Sequence, residues 1–362
     1  MVARRSAEAL RAWVGDRSDA IRVARVLCIV PMAYVHAPLD AHLAEGAAPL
    51  VAVLRDVLGR SSVMLLSALS GVLMVRVLAS RPWPKAMLGR LRTLVVPLVV
   101  WNAVALGIWG AMGRPLPANL LNAISAVSDH GMLVALTFLR DLFVVATCTP
   151  VLIGLARRLG PWPILLLFAA GGFVSTKPVV AHSQIMAYYA LGVGVGVLRL
   201  EDLPGVSLLR RLMVPALVLL SVASACRPML GAPLTVLDTN AFDACVRRPV
   251  CAGSFWVLST WLASRPRVRT VVRRHLEPAI YLMFLSHSLV LFGLAALATR
   301  AGFVHAPRYG LLWVAMPGIC LGVAVLGRRV LQPLPGWVHG LVIGRSKSDV
   351  APWETKPGSD AR

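Results

Sequence analysis

Apolar stretches of about twenty residues follow one another along this chain, with short polar or basic connections between them, and that alternation constrains the fold more than any other feature. A helix of this length crosses the hydrocarbon core of a bilayer, because every backbone N–H and C=O must find its partner inside the segment once water is gone. We place ten such spans near 21–37, 61–80, 93–112, 131–156, 162–178, 182–199, 212–226, 249–264, 278–298 and 309–327. With 57% hydrophobic and 15% charged residues, the chain has the balance of a membrane protein and not that of a soluble domain. The expected fold is all-α and integral to the membrane, a single bundle of about ten transmembrane helices.

A net charge of +21 would suit a nucleic-acid partner if it lay on one face of a soluble domain. Here the charges sit between spans, so no nucleic-acid partner is expected. Most of the 37 lysines and arginines fall on one side when the N-terminus is placed inside, which sets both termini in the cytoplasm by the positive-inside rule. The densest inside clusters are Arg76, Arg81, Lys85, Arg90 and Arg92, and Arg265, Arg267, Arg269, Arg273 and Arg274. Residues 1–20 form a cytoplasmic N-terminal tail, 21–330 the transmembrane domain and 331–362 a polar cytoplasmic C-terminal tail. The protein is expected to be multi-pass in the inner (plasma) membrane, with its first span retained, since no cleavage site follows a short apolar core. No internal repeat of fixed period is present.

Of the six cysteines, Cys28, Cys148 and Cys320 fall in spans and read as small buried hydrophobes. They form no metal motif. Cys245 and Cys251, with Cys226 nearby, flank the outside loop from Arg227 to Arg248, where an oxidising compartment would permit a disulfide. The proline, asparagine and aspartate of that loop favour turns or a short helix.

The first span carries Arg25 and His36, eleven residues apart. At about 100° per residue, eleven steps make three turns plus about 20°, so both side chains project from one face about 16 Å apart. Pro31 lies between them and is expected to kink the helix. Ionisable groups within a membrane usually face a cavity or a partner. The alternatives are that Arg25 snorkels to the cytoplasmic headgroups and that His36 is an interfacial residue. Asp40 stands where it would orient the His36 ring, but Pro38 intervenes and an exposed loop position is expected.

Arg140 and Asp141 sit well within the fourth span. Neighbours on a helix diverge by about 100°, so they need not pair with each other, and each is expected to reach another helix or a water-filled cavity. A structural ion pair and a substrate contact are both open readings. His287, midway along the ninth span, suits an interhelical hydrogen bond or a place on a pore wall. From these residues alone an enzyme and a glycan or lipid-precursor transporter or flippase stand level, although a transporter would more often show paired repeats.

Five fragments in order resemble the acyltransferase 3 family of membrane O-acyltransferases. Arg25 and His36 match the family's arginine, ten intervening residues and histidine in the first span. Ser70-Gly71 within an apolar run is similar to its second span. The stretch from Gly89 through Arg90, Arg92 and Pro97 to Trp101 and Asn102 is similar to its third, with one departure: the family often has two arginines three apart, where this chain has Gly89. Leu136 to Asp141 and Ile280 to His287 resemble two later motifs.

The resemblance implies transfer of an acyl group, most often acetyl, from cytoplasmic acyl-CoA to a hydroxyl of an exported or cell-surface glycan. No tightly bound cofactor and no metal are implied. Acyl-CoA is the donor substrate, a glycan the acceptor and glycan-synthesis machinery a candidate partner. Arg25, with Arg90 and Arg92, then suits the phosphates of the donor. His36 suits the base that takes the acceptor's proton, or a nucleophile that takes the acyl group itself. Ser70, Arg140, Asp141 and His287 are candidate pore or substrate contacts.

Overall fold

The computed structural model describes residues 17–40, 43, 46–128, 130–173, 182–198, 206–226, 242–303 and 307–343, and every regular element among them is a helix. In chain order these are α1 (Ser18–His36), α2 (Ala48–Leu78), α3 (Trp83–Ala111), α4 (Leu120–Ser125), α5 (Thr137–Thr147), α6 (Thr149–Leu159), α7 (Trp162–Phe173), α8 (Ser183–Leu198) and α9 (Val206–Cys226). They continue with α10 (Arg248–Ala263), α11 (Pro266–Arg300), α12 (Pro307–Leu331) and α13 (Gly336–Ile343). Each of the ten apolar stretches is mainly helical over its described residues, the fourth from residue 134 onward and with a break at Cys148. Residues 174–178 and 199 of the expected fifth and sixth spans, and 227–241 of the outside loop, lie outside the described residues.

By length and composition, five helices are able to cross a membrane: α2, α3, α9, α11 and α12. A sixth is available if α5 and α6, bent by 51°, form one broken span. The expected number was about ten. The difference has two physical causes: α1 carries Asp19, Arg22 and Arg25 in its first half, and α7, α8 and α10 are only 12, 16 and 16 residues long. In contrast, α2 and α3 begin well before the spans read from hydropathy, through π-helical turns at Ala52–Gly59 and Leu91–Val95.

The bend between α5 and α6 lies inside what reads as one continuous span. Pro150 has no N–H for the carbonyl of Ala146, four residues back, and its ring crowds that turn. The Thr149 hydroxyl takes the place of the missing donor, 2.7 Å from the Ala146 oxygen, and lies 2.7 Å from the Tyr189 hydroxyl on α8. The break is thereby closed within the protein, as an apolar solvent requires.

In α1, Ile21, Ala24, Cys28, Met32 and Ala33 are buried, and the helix packs against α2, α10, α11 and α12. It is a central strut, and it runs through Pro31 as one helix. The tightest crossing is between α2 and α8. A Cβ added to Gly192 would overlap the carbonyl oxygen of Ala68, and one added to Gly71 would overlap that of Tyr189. Gly196, one turn beyond Gly192, faces Val72 and Val75, so the two helices run parallel. Lipid gives apolar helices little reason to associate, and small residues that let two backbones meet supply it through dispersion contact.

The tail assigned from residue 331 contains α13, which packs on α3 through a 2.9 Å bond from Trp101 Nε1 to the Val342 carbonyl. The cysteines beside the outside loop are thiols: Cys226 and Cys245 are exposed, whereas Cys251 is buried and donates to the Val57 carbonyl.

Replacing Gly192 with Val should prevent the α2–α8 crossing, because the obstruction is backbone and has no side chain to move. Overpacking by a methylene or two costs about 1–3 kcal/mol even where side chains can shift. We expect little or no monodisperse protein after detergent extraction, while Gly107→Ala, in open space on α3, extracts like the parent. Equal yields from the two variants would refute the crossing.

Candidate active site

The sequence places Arg25 and His36 on one stripe of α1, and the structure gives each a counterpart on α11. Arg25 Nη1 donates to Glu277 Oε1 at 2.9 Å, with both side chains mostly buried. The His36 ring lies 5.2 Å from that of His287, tilted by 56°. Eleven residues separate the two positions on α1 and ten on α11, about 15–16 Å of rise on each helix. Residue numbers increase together, so α1 and α11 run parallel and meet at two polar levels.

At the level of the histidines the surroundings are apolar and aromatic. His287 is buried, and its Nδ1 lies 2.7 Å from the Phe284 carbonyl, which only accepts. Nδ1 therefore carries the proton of the neutral ring, and Nε2 is left as the basic nitrogen, 3.4 Å from Ser288 Oγ. The half-buried His36 ring has no hydrogen bond among the described residues. Two residues before it, Tyr34 stacks on Trp313 of α12 at 4.9 Å and donates to the Val314 carbonyl. The Tyr309 hydroxyl donates to the Pro38 carbonyl, which ties the chain beyond His36 to α12. Asp40, expected in an exposed loop, is buried beside Tyr309 and forms no hydrogen bond to His36.

The other candidate residues fall into two groups. Arg92 is exposed and Arg90 half-buried at the π-helical start of α3, near the cytoplasmic end of the expected topology, and neither meets Arg25. Ser70, half-buried, neighbours Gly71 at the α2–α8 crossing.

Arg140 and Asp141, by contrast, do pair with each other. Arg140 Nε and Nη2 donate to Asp141 Oδ1 at 2.9 and 2.7 Å, because the long arginine side chain folds back along the helix. Its Nη1 donates to the carbonyl of Ala126, a buried alanine held in the left-handed region at φ 53°. Such a conformation costs about 1 kcal/mol or more at a non-glycine residue. Asn102 holds that loop from α3 by accepting from the Leu133 N–H and donating to the Ile124 carbonyl. The second oxygen of the fully buried Asp141 meets His182 Nδ1 at 2.5 Å. His182 begins the approach to α8, half-exposed, with the His130 ring stacked 6.2 Å away.

Glu277, Arg55, His130, His182 and Trp313 were absent from the residues picked out by sequence. Only Glu277 left a signal: it is an acidic residue at the head of a long apolar helix, ten residues before His287, nearly repeating the Arg25–His36 interval. Arg55 belongs to the π-helical stretch of α2, one turn before Gly59, whose Cβ position would press on Val35 and the Pro31 carbonyl of α1.

No curated protein and no solved structure matches the chain. The acyltransferase domain model of the acyltransferase 3 family matches residues 18–327, from the first residue of α1 to within α12. The matched region includes both polar levels of the α1–α11 pair and the Arg140–Asp141–His182 cluster. Apolar helices able to cross a bilayer and this match over most of its length together make the chain a multi-pass membrane acyltransferase that belongs to the acyltransferase 3 family.

Proposed function

We propose that this acyltransferase takes acetyl from cytoplasmic acetyl-CoA and places it on a hydroxyl of an exported polysaccharide or other cell-surface glycan. The observation that carries the reading is the two-level axis of α1 and α11, with a guanidinium near one end and an imidazole pair about 16 Å along it. Coenzyme A has its phosphates at one end and its thioester at the end of a long arm. A donor whose phosphates bind near Arg25 carries its thioester toward His36.

In this reading His36 takes the proton of the acceptor hydroxyl. The freed oxygen attacks the thioester carbonyl, and collapse of the tetrahedral intermediate expels the CoA thiolate, which takes the proton back from His36. His287 stands next to His36 with a fixed tautomer and holds the ring from the α11 side. Arg90 and Arg92 add positive charge on the donor's side.

The topology we propose has ten crossings and both termini in the cytoplasm of a cell with this protein in its inner membrane. The parallel directions of α1 with α11, and of α2 with α8, support it, because each pair then joins spans that cross in the same sense. α7, α8 and α10 would complete the count as short spans.

Replacing His36 with Ala should leave the protein's abundance unchanged and remove turnover, read as thiol release from acetyl-CoA by membrane vesicles and as loss of base-labile acetyl from envelope glycans. Wild-type acetylation in H36A would sink the reading. A charge swap separates the two roles open to Arg25. R25E should lower abundance and raise the KM for acetyl-CoA at least about tenfold, the equivalent of roughly 1.4 kcal/mol for one phosphate contact. In R25E/E277R the ion pair is rebuilt in reverse, so abundance should recover while the KM stays high. Recovery of both would assign Arg25 to structure alone.

A further inference from the structure

Arg55 has an environment that an arginine in an apolar bundle seldom has. Its Nε is buried and has no hydrogen-bond partner, and no carboxylate among the described residues pairs with its guanidinium. The adjacent acid, Asp56, turns away to Arg60 on the more exposed side of α2, 3.1 Å off. Several acids elsewhere have arginines of their own: Asp19 has Arg22, Asp141 has Arg140, and Asp243 has Arg247 and Arg248. A buried donor left unmade costs about 1–3 kcal/mol, and more where it is charged. A fold that keeps such a group beside its reactive histidine gains nothing from it in the resting state.

The position of Arg55 follows from packing. α1 and α2 form a hairpin, and Gly59 abuts Val35 and the carbonyl of Pro31. Four residues back along α2 brings the chain to Arg55, about one turn nearer the connection between α1 and α2 and on nearly the same face. His36 follows Val35 directly on α1. Arg55 lies within the π-helical winding of Ala52–Gly59, and such insertions are frequent at functional sites.

We propose that Arg55 is a catalytic residue, the donor that receives the oxyanion formed when the acceptor oxygen attacks the acyl carbonyl. The proposal rests on the acyl-transfer reading above. As the acceptor oxygen bonds to the carbonyl carbon, the C=O π electrons move onto the carbonyl oxygen, and the Arg55 guanidinium donates N–H to that oxygen. When the C–S bond breaks, the electrons return to re-form the carbonyl, the thiolate leaves with the C–S pair, and His36 gives it the proton taken from the alcohol. Arg55 exchanges no proton. Its fixed positive charge meets negative charge that exists only during the reaction, and this is what makes such a contact raise kcat without tightening binding of the donor.

The test uses the full chain in vesicles from cells that express it, with acetyl-CoA as donor and the vesicles' own envelope glycans as acceptor. Removal of one oxyanion donor lowers kcat by roughly 10²–10³-fold. We expect that loss for R55Q, with the KM for acetyl-CoA changed less than about threefold, and partial recovery of kcat in R55K, whose ammonium keeps the charge but not the planar fork. A kcat within threefold of the parent, or a defect confined to KM, overturns the proposal, the second outcome marking Arg55 as a binding group for an anionic substrate. Should R55Q fail to accumulate, R55K decides: a kcat lowered about tenfold or more at unchanged KM supports the assignment, and parental kcat removes it. H36A run alongside distinguishes the two levels. A parent that neither releases thiol from acetyl-CoA nor adds acetyl to glycan removes the acyl-transfer reading itself, turnover retained in H36A removes the role of His36 in it, and turnover lost in H36A and kept in R55Q removes only the role of Arg55.

Discussion

The ion pair between Arg25 and Glu277 is the constraint on which the arrangement of the site depends. Two parallel helices with apolar faces can slide past one another at little cost, because neighbouring rows of small and aliphatic side chains are nearly equivalent. A charged pair removes that freedom. Displacing α1 by one turn against α11 would leave two mostly buried charges without partners, and breaking a buried pair in this way costs about 3–5 kcal/mol. The pair's value lies in register more than in net stability, since desolvation consumes most of its Coulomb energy. With the lower level fixed, the eleven-residue and ten-residue intervals place His36 against His287.

The same constraint explains why a helix as polar as α1 is central to the fold. Its first half is too charged for exposure to lipid, and its charges find partners on the faces that surround it: Asp19 with Arg22 and, from α11, Arg269, and Arg25 with Glu277. α9, by contrast, lies on the outside with little of its apolar stretch buried. Breaks in the helices are handled locally. At the α5–α6 bend the hydroxyl of Thr149 replaces the donor that Pro150 lacks, and at the left-handed Ala126 the carbonyl turned out of the helix is taken up by Arg140.

Hydropathy made the helices legible, because a bilayer forces each crossing to reveal itself as an apolar run. It also made the Arg25–His36 stripe legible, because helical geometry alone relates residues eleven apart. What it left obscure shares one cause, which is that the deciding partner is distant in the chain. Glu277 is 252 residues from Arg25, and Asp141 meets His182 across 41 residues. The small residues at Gly71 and Gly192 are ordinary in any span until the two backbones are seen to touch. Arg55 escaped for a different reason: the span was read from residue 61, since the charged pair Arg55–Asp56 interrupts the apolar run, and the π-helical turns that carry it into the bundle leave no periodicity to recognise. By length and composition alone α7, α8 and α10 fall short of a full crossing, and how a short helix sits in a bilayer depends on neighbours that hydropathy does not carry.

Along the axis, the electrostatics of the two levels differ in kind. At the lower level, cation and anion are matched within the protein, so an incoming polyanion must compete with Glu277 and draws on the surplus positive charge of the surrounding arginines. At the upper level the rings of His36 and His287 are joined through Phe284 to Phe138 in an aromatic run, with centroids 5.2, 6.1 and 6.0 Å apart. Beyond Phe138, one turn along α5, Asp141 is neutralised by Arg140 and His182 and adds little net charge to the site. An apolar pocket wall magnifies any charge placed near it. In such surroundings a guanidinium with no carboxylate beside it favours whatever negative charge arises there, and chemistry at a carbonyl creates such charge only at its transition state.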